Sequence, residues 1–337
     1  MPEYSNGRGR IQTPTAHDAT ELLLKITRRL ENQTGKPELQ TNIRVIDEYC
    51  QGLHKGQIFT VGARPGGGKT SLMLQIALGL AKNGIKTTII SLEMTAEQVW
   101  ERLFSLEMEI DIFNTQKLAG EMIPPRVFEG LAEFAKAVET YKKYLHVIDD
   151  FGYTTTEMHK LFTEIYETKP QVVLIDHLQH IRCDNRKTLE AIDDYLLLVK
   201  EFAKKNEICF VILSQVNRAG GEKPTLAHLK SSGKIEEISD TVMLIDDDKN
   251  KTDQNNCKFI IAKQRYGPVG THDLYFCGAF TKFYSDYDTY LNARNNKIRT
   301  VSFAKDFKTY IAKASSEPRT EVSTDPLDRL VERDCEV

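Results

Sequence analysis

The stretch "GQIFTVGARPGGGKTSLMLQIALGL", Gly56 to Leu80, decides how the rest of the chain folds. Ile58 to Val61 is a short apolar, β-branched run of the kind that forms a buried strand, and Leu72, Ile76 and Leu80 recur at helical spacing. Between them the chain turns from strand to helix through "ARPGGGKT". Gly66, Gly67 and Gly68 can adopt backbone angles that aim consecutive N–H groups at one anion. The turn fits the phosphate-loop pattern G-x-x-x-x-G-K-[ST] with Ala63 at its first position, and Arg64, Pro65 and Ser71 complete the expected cradle. Lys69 can reach the β- and γ-phosphates as a point charge, the Thr70 hydroxyl can ligate Mg²⁺, and the helix opening near Lys69 turns its positive end toward the phosphates. A dinucleotide-binding turn fits less well, because Lys69 and Thr70 stand where that motif needs close helix packing. A bound nucleotide with Mg²⁺ is the expectation.

Outward from this turn, apolar strands alternate with helical segments. "KTTIISLE" reads as a strand ending at Glu93, followed by a helix capped by Thr95. Weakly helical sequence continues to about Tyr144. "YLHVIDD", "QVVLIDHLQHI", "ICFVILSQ" and "DTVMLIDDD" are further strands, with helices at "TTTEMHKLFTEIYET" and from about Lys187 to Asn206. This spacing predicts an α/β fold with a mostly parallel, doubly wound sheet. The stretch "CKFIIAKQRYGPVGTHDLYFCGAFTKFYS" has strand runs joined by Gly-containing turns without helices, and so predicts an antiparallel extension of that sheet. Residues 1–40 are expected to form a flexible leader and a helix at Asp18 to Asn32, residues 41–290 the main domain, and residues 291–337 an extension with a polar, mobile tail. Leu22, Leu23, Ile26 and Leu30 form one stripe of the early helix, suited to packing on the main domain or on a neighbouring subunit.

Composition narrows the class. The 337 residues are 40% hydrophobic and 28% charged, ordinary for a soluble globular protein. No apolar run is long enough to span a membrane and the N-terminus lacks a secretory signal, so a cytoplasmic protein is expected. Six cysteines without C-x-x-C pairs indicate reduced thiols rather than a zinc site or a disulfide framework. A net charge of -3 provides no global attraction to nucleic acid, so any such contact must be local.

In open parallel sheets ligands sit at the carboxyl ends of strands. Asp176 closes "VVLID" and is placed to hold Mg²⁺ with the phosphate loop. Glu93 closes "IISLE" and could activate an attacking water, or serve simply as an acid at a helix N-terminus. Gln215 closes "FVILSQ", where an amide could sense a γ-phosphate. Lys263 and Arg265 end a strand before the Gly267-Pro268 turn and could stabilise phosphoryl charge from within the chain or from an adjacent subunit. The segment Asn217 to Ile238, with Arg218, Lys223, Lys230 and Lys234 among Gly and Ser, reads as a loop able to follow a phosphate backbone without reading bases.

Together, "GARPGGGKT", "SLEM", "LIDHLQ", "LSQVNR", "LKSSGKIEEISD" and "KQRYGPVGT" resemble, in order and spacing, the RecA-like motor domain of the DnaB family of replicative helicases, over about Thr41 to Ser285. The resemblance implies an ATP-hydrolysing ring, usually a hexamer, with nucleotide sites between subunits, single-stranded DNA in the channel and 5′ to 3′ movement. It implies Glu93 as the catalytic glutamate, Lys69 and Thr70 as phosphate and Mg²⁺ contacts, Asp176 as the second metal acid, Arg102 near the nucleotide and Gln215 as γ-phosphate sensor. Lys263 and Arg265 would act in trans, Arg265 as the finger, while Arg218, Lys230, Ser231, Gly233 and Lys234 would contact DNA. Three positions depart from the family: Lys230 and Ser231 replace its usual Arg-Glu, and His177 replaces a common Tyr, a change expected to tune packing. The family's helical N-terminal domain has no counterpart, which suggests a compact motor and leaves primase and loader contacts open. Two rivals remain: a RecA-like DNA-dependent ATPase that does not unwind, and a nucleotide-stabilised ring that recruits primase or loader. A small-molecule kinase would need an acceptor pocket, of which the sequence gives no sign.

Overall fold

The computed structural model describes residues 37–111, 125–150, 154–177, 188–216, 223–229, 232–247, 256–265 and 267–295, together with Ala19, Leu23, Leu24 and Thr27. After α1 (Arg44–Tyr49) come β1 (Ile58–Ala63), α2 (Lys69–Lys82), β2 (Thr87–Ser91), α3 (Ala96–Met108), α4 (Pro125–Tyr141), β3 (Leu145–Ile148) and α5 (Thr155–Glu167). The second half holds β4 (Val172–Asp176), α6 (Thr188–Asn206), β5 (Cys209–Gln215), α7 (Ser232–Ile238), β6 (Thr241–Asp246), β7 (Asn256–Gln264), β8 (Gly270–Cys277) and β9 (Lys282–Tyr284). Residues 287–295 are again helical.

All nine strands join one sheet in the order β3-β2-β4-β5-β1-β6-β7-β8-β9. The six from β3 to β6 are parallel, and β7, β8 and β9 add to that edge antiparallel. This is the doubly wound sheet with an antiparallel extension that the sequence predicts. The cause is visible in the alternation of side chains. Phe59, Val61, Ile89, Leu174, Val211, Leu213 and Met243 enter one core with the apolar faces of α2, α3 and α4. Ile58, Ile90, Val173, Ile175, Phe210, Ile212 and Leu244 enter the other with α5, α6 and α7. Strands buried on both faces need continuous apolar sequence, as these have.

Helix starts follow local chemistry. Thr95 and Thr154 each form a reciprocal capping box, with Gln98 and Glu157 respectively, so α3 and α5 begin where their threonines stand. On α2, Gly79 lies against the segment that enters the domain, where an added Cβ would come within 1.8 Å of the Thr41 carbonyl oxygen. Cys209, Cys257 and Cys277 lie in strands and, with Cys50, are buried thiols; burial pushes Cys50 and Cys209 up to about 12. These are packing groups, as the absence of paired spacing suggests.

One element corrects the sequence analysis. The segment read as a loop from Asn217 to Ile238 contains a 3₁₀ turn at Leu226–His228 and then α7. Ile235 and Ile238 are buried in the second core beside Leu229, and this apolar anchor folds a stretch whose Gly and Ser content suggests open loop. The expected helix at Asp18 to Asn32 falls mostly outside the described residues, of which Leu23 and Leu24 are exposed. The expected tail also lies outside them. Among the described residues no helix is long and apolar enough to cross a membrane.

Candidate functional site

The carboxyl ends of β1, β2, β4 and β5 bring the sequence-predicted residues together. β1 and β5 run in register until Ala63 stands opposite Gln215, and the Val216 N–H donates to the Ala63 carbonyl at 2.9 Å. Ser91 stands opposite Asp176 in the β2–β4 pair, and the Leu92 N–H donates to the Asp176 carbonyl at 2.7 Å. The strand therefore stops two residues before Glu93, and Ser91 shapes the turn beyond it. Its hydroxyl donates to the Met94 carbonyl at 2.6 Å and accepts from the Met94 N–H at 3.2 Å, closing a turn whose exposed member is Glu93.

The phosphate loop runs from Arg64 to Gly68. Gly66 (φ 74°) and Gly68 (φ 83°) are left-handed, which non-glycine residues rarely sustain, and an added Cβ at Gly68 would meet the Phe283 ring at 2.7 Å. α2 follows at once, so the N–H groups of its first turn open toward the loop. The Thr70 hydroxyl donates to Asp176 Oδ2 at 2.7 Å, linking the first turn of α2 to the end of β4.

Asp176 is 1% exposed, and its Oδ1 has no hydrogen-bond partner among the described residues. Burial raises its pKa above the ordinary aspartate range and the charge of Glu93 raises it further. The Thr70 hydrogen bond, Lys69 and Arg102 pull the other way. Glu93, Asp176 and His177 place one ligand atom each within 4.8 Å of one another. A buried, unsatisfied carboxylate oxygen beside a threonine hydroxyl and a second carboxylate is a donor set that fits a hard divalent cation. His177, expected to matter for packing alone, is thus a neighbour of both acids. Its position directly after a strand-ending aspartate is the one sequence signal for this.

Lys263 and Arg265 are not at this end of the sheet. β7 runs antiparallel to β6, with Thr241 opposite Gln264 and Val242 opposite Lys263, while Thr241 pairs with Phe59 at the start of β1. Both cations therefore lie at the amino ends of the parallel strands, separated from the phosphate loop by the length of β1, roughly 17 Å for a strand from Ile58 to Ala63. Of the two possibilities open in the sequence, action within the same chain does not fit this geometry. Lys263 Nζ donates to the Glu236 carbonyl, Arg265 Nη2 donates to the Glu237 carbonyl at 3.1 Å, and Arg265 Nε lies 3.3 Å from Asp240 Oδ1.

Of the residues expected to meet nucleic acid, Arg218, Lys230 and Ser231 lie outside the described residues. Gly233 and Lys234 sit in the first turn of α7, Gly233 exposed with open space around it and Lys234 paired with Glu237 at 3.1 Å.

A glycine-rich loop opening a helix after the central strand, with one acid ending β4 and another just beyond the end of neighbouring β2 in a mostly parallel sheet, defines a P-loop core of the RecA-like type. Within that class the chain belongs to the DnaB-like helicase C-terminal domain family, whose model matches residues 38–285. It is 30% identical over 275 residues to the replicative DNA helicase DnaB of Treponema pallidum, covering 78% of this chain and 59% of that protein. Similarity to the DnaB of Haemophilus influenzae is also 30%, covering 77% of this chain and 58% of that one. The chain thus spans about six-tenths of the length of these relatives. Among solved structures it resembles an isolated ATPase domain, with a TM-score of 0.71, 22% identity and coverage of 81% of this chain and 100% of that one. It also resembles a DnaB-like replicative helicase studied with its interactions with primase, with a TM-score of 0.70, 22% identity and coverage of 79% and 68%.

Proposed function

We propose that the chain is an ATP-driven replicative DNA helicase motor, with residues 41–290 as its motor domain, assembling as a ring, hexameric as the resemblance implies, around single-stranded DNA and separating the duplex in the 5′ to 3′ direction. The observation that carries this reading is the separation of the phosphate site from Lys263 and Arg265 by the length of the sheet. One copy is built to receive a nucleotide at one end and to offer cations at the other.

The phosphates of ATP rest on the N–H groups of Gly66 to Gly68, flanked by Arg64 and Pro65, with Lys69 against the β- and γ-phosphates. Thr70 and Asp176 would hold Mg²⁺, which supplies charge neutralisation on the triphosphate. Glu93, held out by the Ser91 turn, takes a proton from water as its oxygen attacks the γ-phosphorus. The bond from that phosphorus to the β–γ bridging oxygen breaks, and ADP and phosphate leave. Arg102 adds positive charge beside Asp176, and Gln215 hydrogen-bonds the γ-phosphate and registers its loss. Arg265 and Lys263 of the adjacent copy stabilise the charge on the transferring phosphoryl group.

Gln215 is followed directly by the segment carrying Arg218, Lys230, Ser231, Gly233 and Lys234, so loss of the γ-phosphate is transmitted to the residues that grip DNA. The exposed Leu23 and Leu24 suit a helix that docks on the next copy. Primase is the partner suggested by the DnaB-like neighbour, and a loader is the other expected partner.

The test is ATP hydrolysis with and without single-stranded DNA for wild type, Arg265→Ala, Glu93→Gln and a mixture of the two variants. DNA-stimulated turnover, strand separation and partial recovery on mixing are expected. Turnover indifferent to DNA with no recovery would overturn the motor. DNA-stimulated turnover without strand separation would favour the non-unwinding ATPase.

A further inference from the structure

Asp240 sits at the corner between α7 and β6, 5% exposed, and gathers groups from three other parts of the fold. The Ile58 N–H, at the root of β1, donates to Oδ2 at 2.9 Å, and Lys200 of α6 places Nζ 2.7 Å from the same oxygen. Oδ1 faces Arg265 Nε at 3.3 Å. The backbone repeats the connection: the Asp240 N–H donates to the Ile58 carbonyl at 2.9 Å and the Arg265 N–H donates to the Asp240 carbonyl at 3.0 Å. Next to it, the Ser239 and Thr60 hydroxyls share a buried hydrogen bond of 2.7 Å, which fixes the same corner to β1.

We infer that Asp240 is a positioning residue for Arg265, orienting the guanidinium that serves the neighbouring copy's nucleotide. The inference rests on the trans role proposed above for Arg265. A buried carboxylate paired with cations is rarely the most stabilising choice for such a corner, since apolar packing of similar volume is often as good. It does provide orientation. With Nε drawn to Asp240 and Nη2 to the Glu237 carbonyl, two edges of the guanidinium are set, while the side chain remains 46% exposed for a partner. Without the carboxylate charge, Lys200, Lys263 and Arg265 would be three cations around one corner, and repulsion would drive the most exposed of them, Arg265, off its position.

The test is Asp240→Asn, which preserves size and leaves an acceptor for the Ile58 N–H. DNA-stimulated kcat should fall at least about tenfold with the KM for ATP within about twofold, because the variant's own phosphate site is intact. Mixing with Glu93→Gln should restore turnover, since the Glu93→Gln copy brings an intact Arg265 to an intact site. Mixing with Arg265→Ala should restore nothing, since both copies lack a working finger. Wild-type turnover in Asp240→Asn would overturn the inference, as would recovery with Arg265→Ala, which would place the fault in the variant's own nucleotide site. If Asp240→Asn does not fold, Asp240→Glu replaces it: the charge stays but the guanidinium shifts, and at least about a threefold loss with the same mixing pattern is expected. A folded Asp240→Glu with full turnover would overturn the inference equally. Failure of the Arg265→Ala and Glu93→Gln pair to complement would instead defeat the trans reading itself.

Discussion

Asp176→Asn should make the metal-free, nucleotide-free protein more stable while abolishing ATP hydrolysis. The wild-type carboxylate is almost fully buried, Oδ2 has the Thr70 hydroxyl, and Oδ1 has no partner among the described residues. A buried acceptor left unsatisfied costs about 1–3 kcal/mol, and a charged one more. Burial and Glu93 raise the pKa of Asp176 in the folded state above its ordinary value of 3.8. A carboxyl group raised in this direction favours folding while it is protonated, and that contribution is lost as pH rises through the folded pKa. Asparagine is neutral at every pH, so the variant's advantage should be small near pH 4 and grow with pH. For a domain of this size about 2 kcal/mol corresponds to a rise of roughly 4–8 °C in Tm. The assay is thermal unfolding in EDTA at pH 5, 7 and 9, with urea melts to supply the free energy. A variant less stable than wild type at pH 9, or a difference that does not change with pH, would refute the account of Asp176 as a carboxylate kept at a cost for a cation.

Ser91→Ala removes the two hydrogen bonds that close the turn before Glu93, so kcat should fall about tenfold or more with nucleotide affinity within about twofold, read by steady-state turnover and equilibrium nucleotide binding. Gly79→Ala, which helix propensity alone would make favourable by about 1 kcal/mol, should destabilise by about 1–3 kcal/mol in denaturant melts, because its Cβ would sit 1.8 Å from the Thr41 carbonyl oxygen. Affinity for single-stranded DNA should fall with salt at a logarithmic slope of about −2 or steeper per copy if Arg218, Lys230 and Lys234 each neutralise a phosphate, with little dependence on base sequence; strong sequence discrimination at fixed salt in a titration would count against that assignment.

The parallel sheet is legible in the sequence because strands covered on both faces are nearly all apolar, and Ile58, Ile89, Val173 and Phe210 stand in such runs. The placement of polar groups at the strand ends is legible for the same reason, since Asp176 and Gln215 each break an apolar run at its carboxyl end. α7 is not. It is only Ser232–Ile238, too short for a helical period to repeat, and its apolar anchors Ile235 and Ile238 are outnumbered by Gly, Ser and charge. Asp240 is illegible for another reason. It merely opens the strand-like run "DTVMLIDDD", and its partners Ile58, Lys200 and Arg265 are distant in sequence and meet only through the order of the strands. His177 stands out in the sequence only as a packing change, because its adjacency to Glu93 depends on β2 lying beside β4.

That strand order also bears on assembly. β1 has Asp240 at its root and the phosphate loop at its tip, so the proposed finger and the nucleotide of a single copy are tied to opposite ends of one rigid strand. A copy that gives at one end and receives at the other makes a head-to-tail contact, in which two different surfaces meet. Such contacts close into rings when the rotation between copies divides a full turn, and otherwise extend into helical filaments. A two-fold dimer would satisfy them only if finger and phosphate loop lay on one self-complementary face, each meeting its counterpart on the other copy. With Arg265 acting in trans as proposed, every site would report on two copies at once: hydrolysis in one copy would alter what its neighbour's Arg265 faces, and Arg265 is tied through Asp240 to the root of its own β1. Sequential firing around a ring would need such a route, and this one would cross a single strand between one nucleotide and the next.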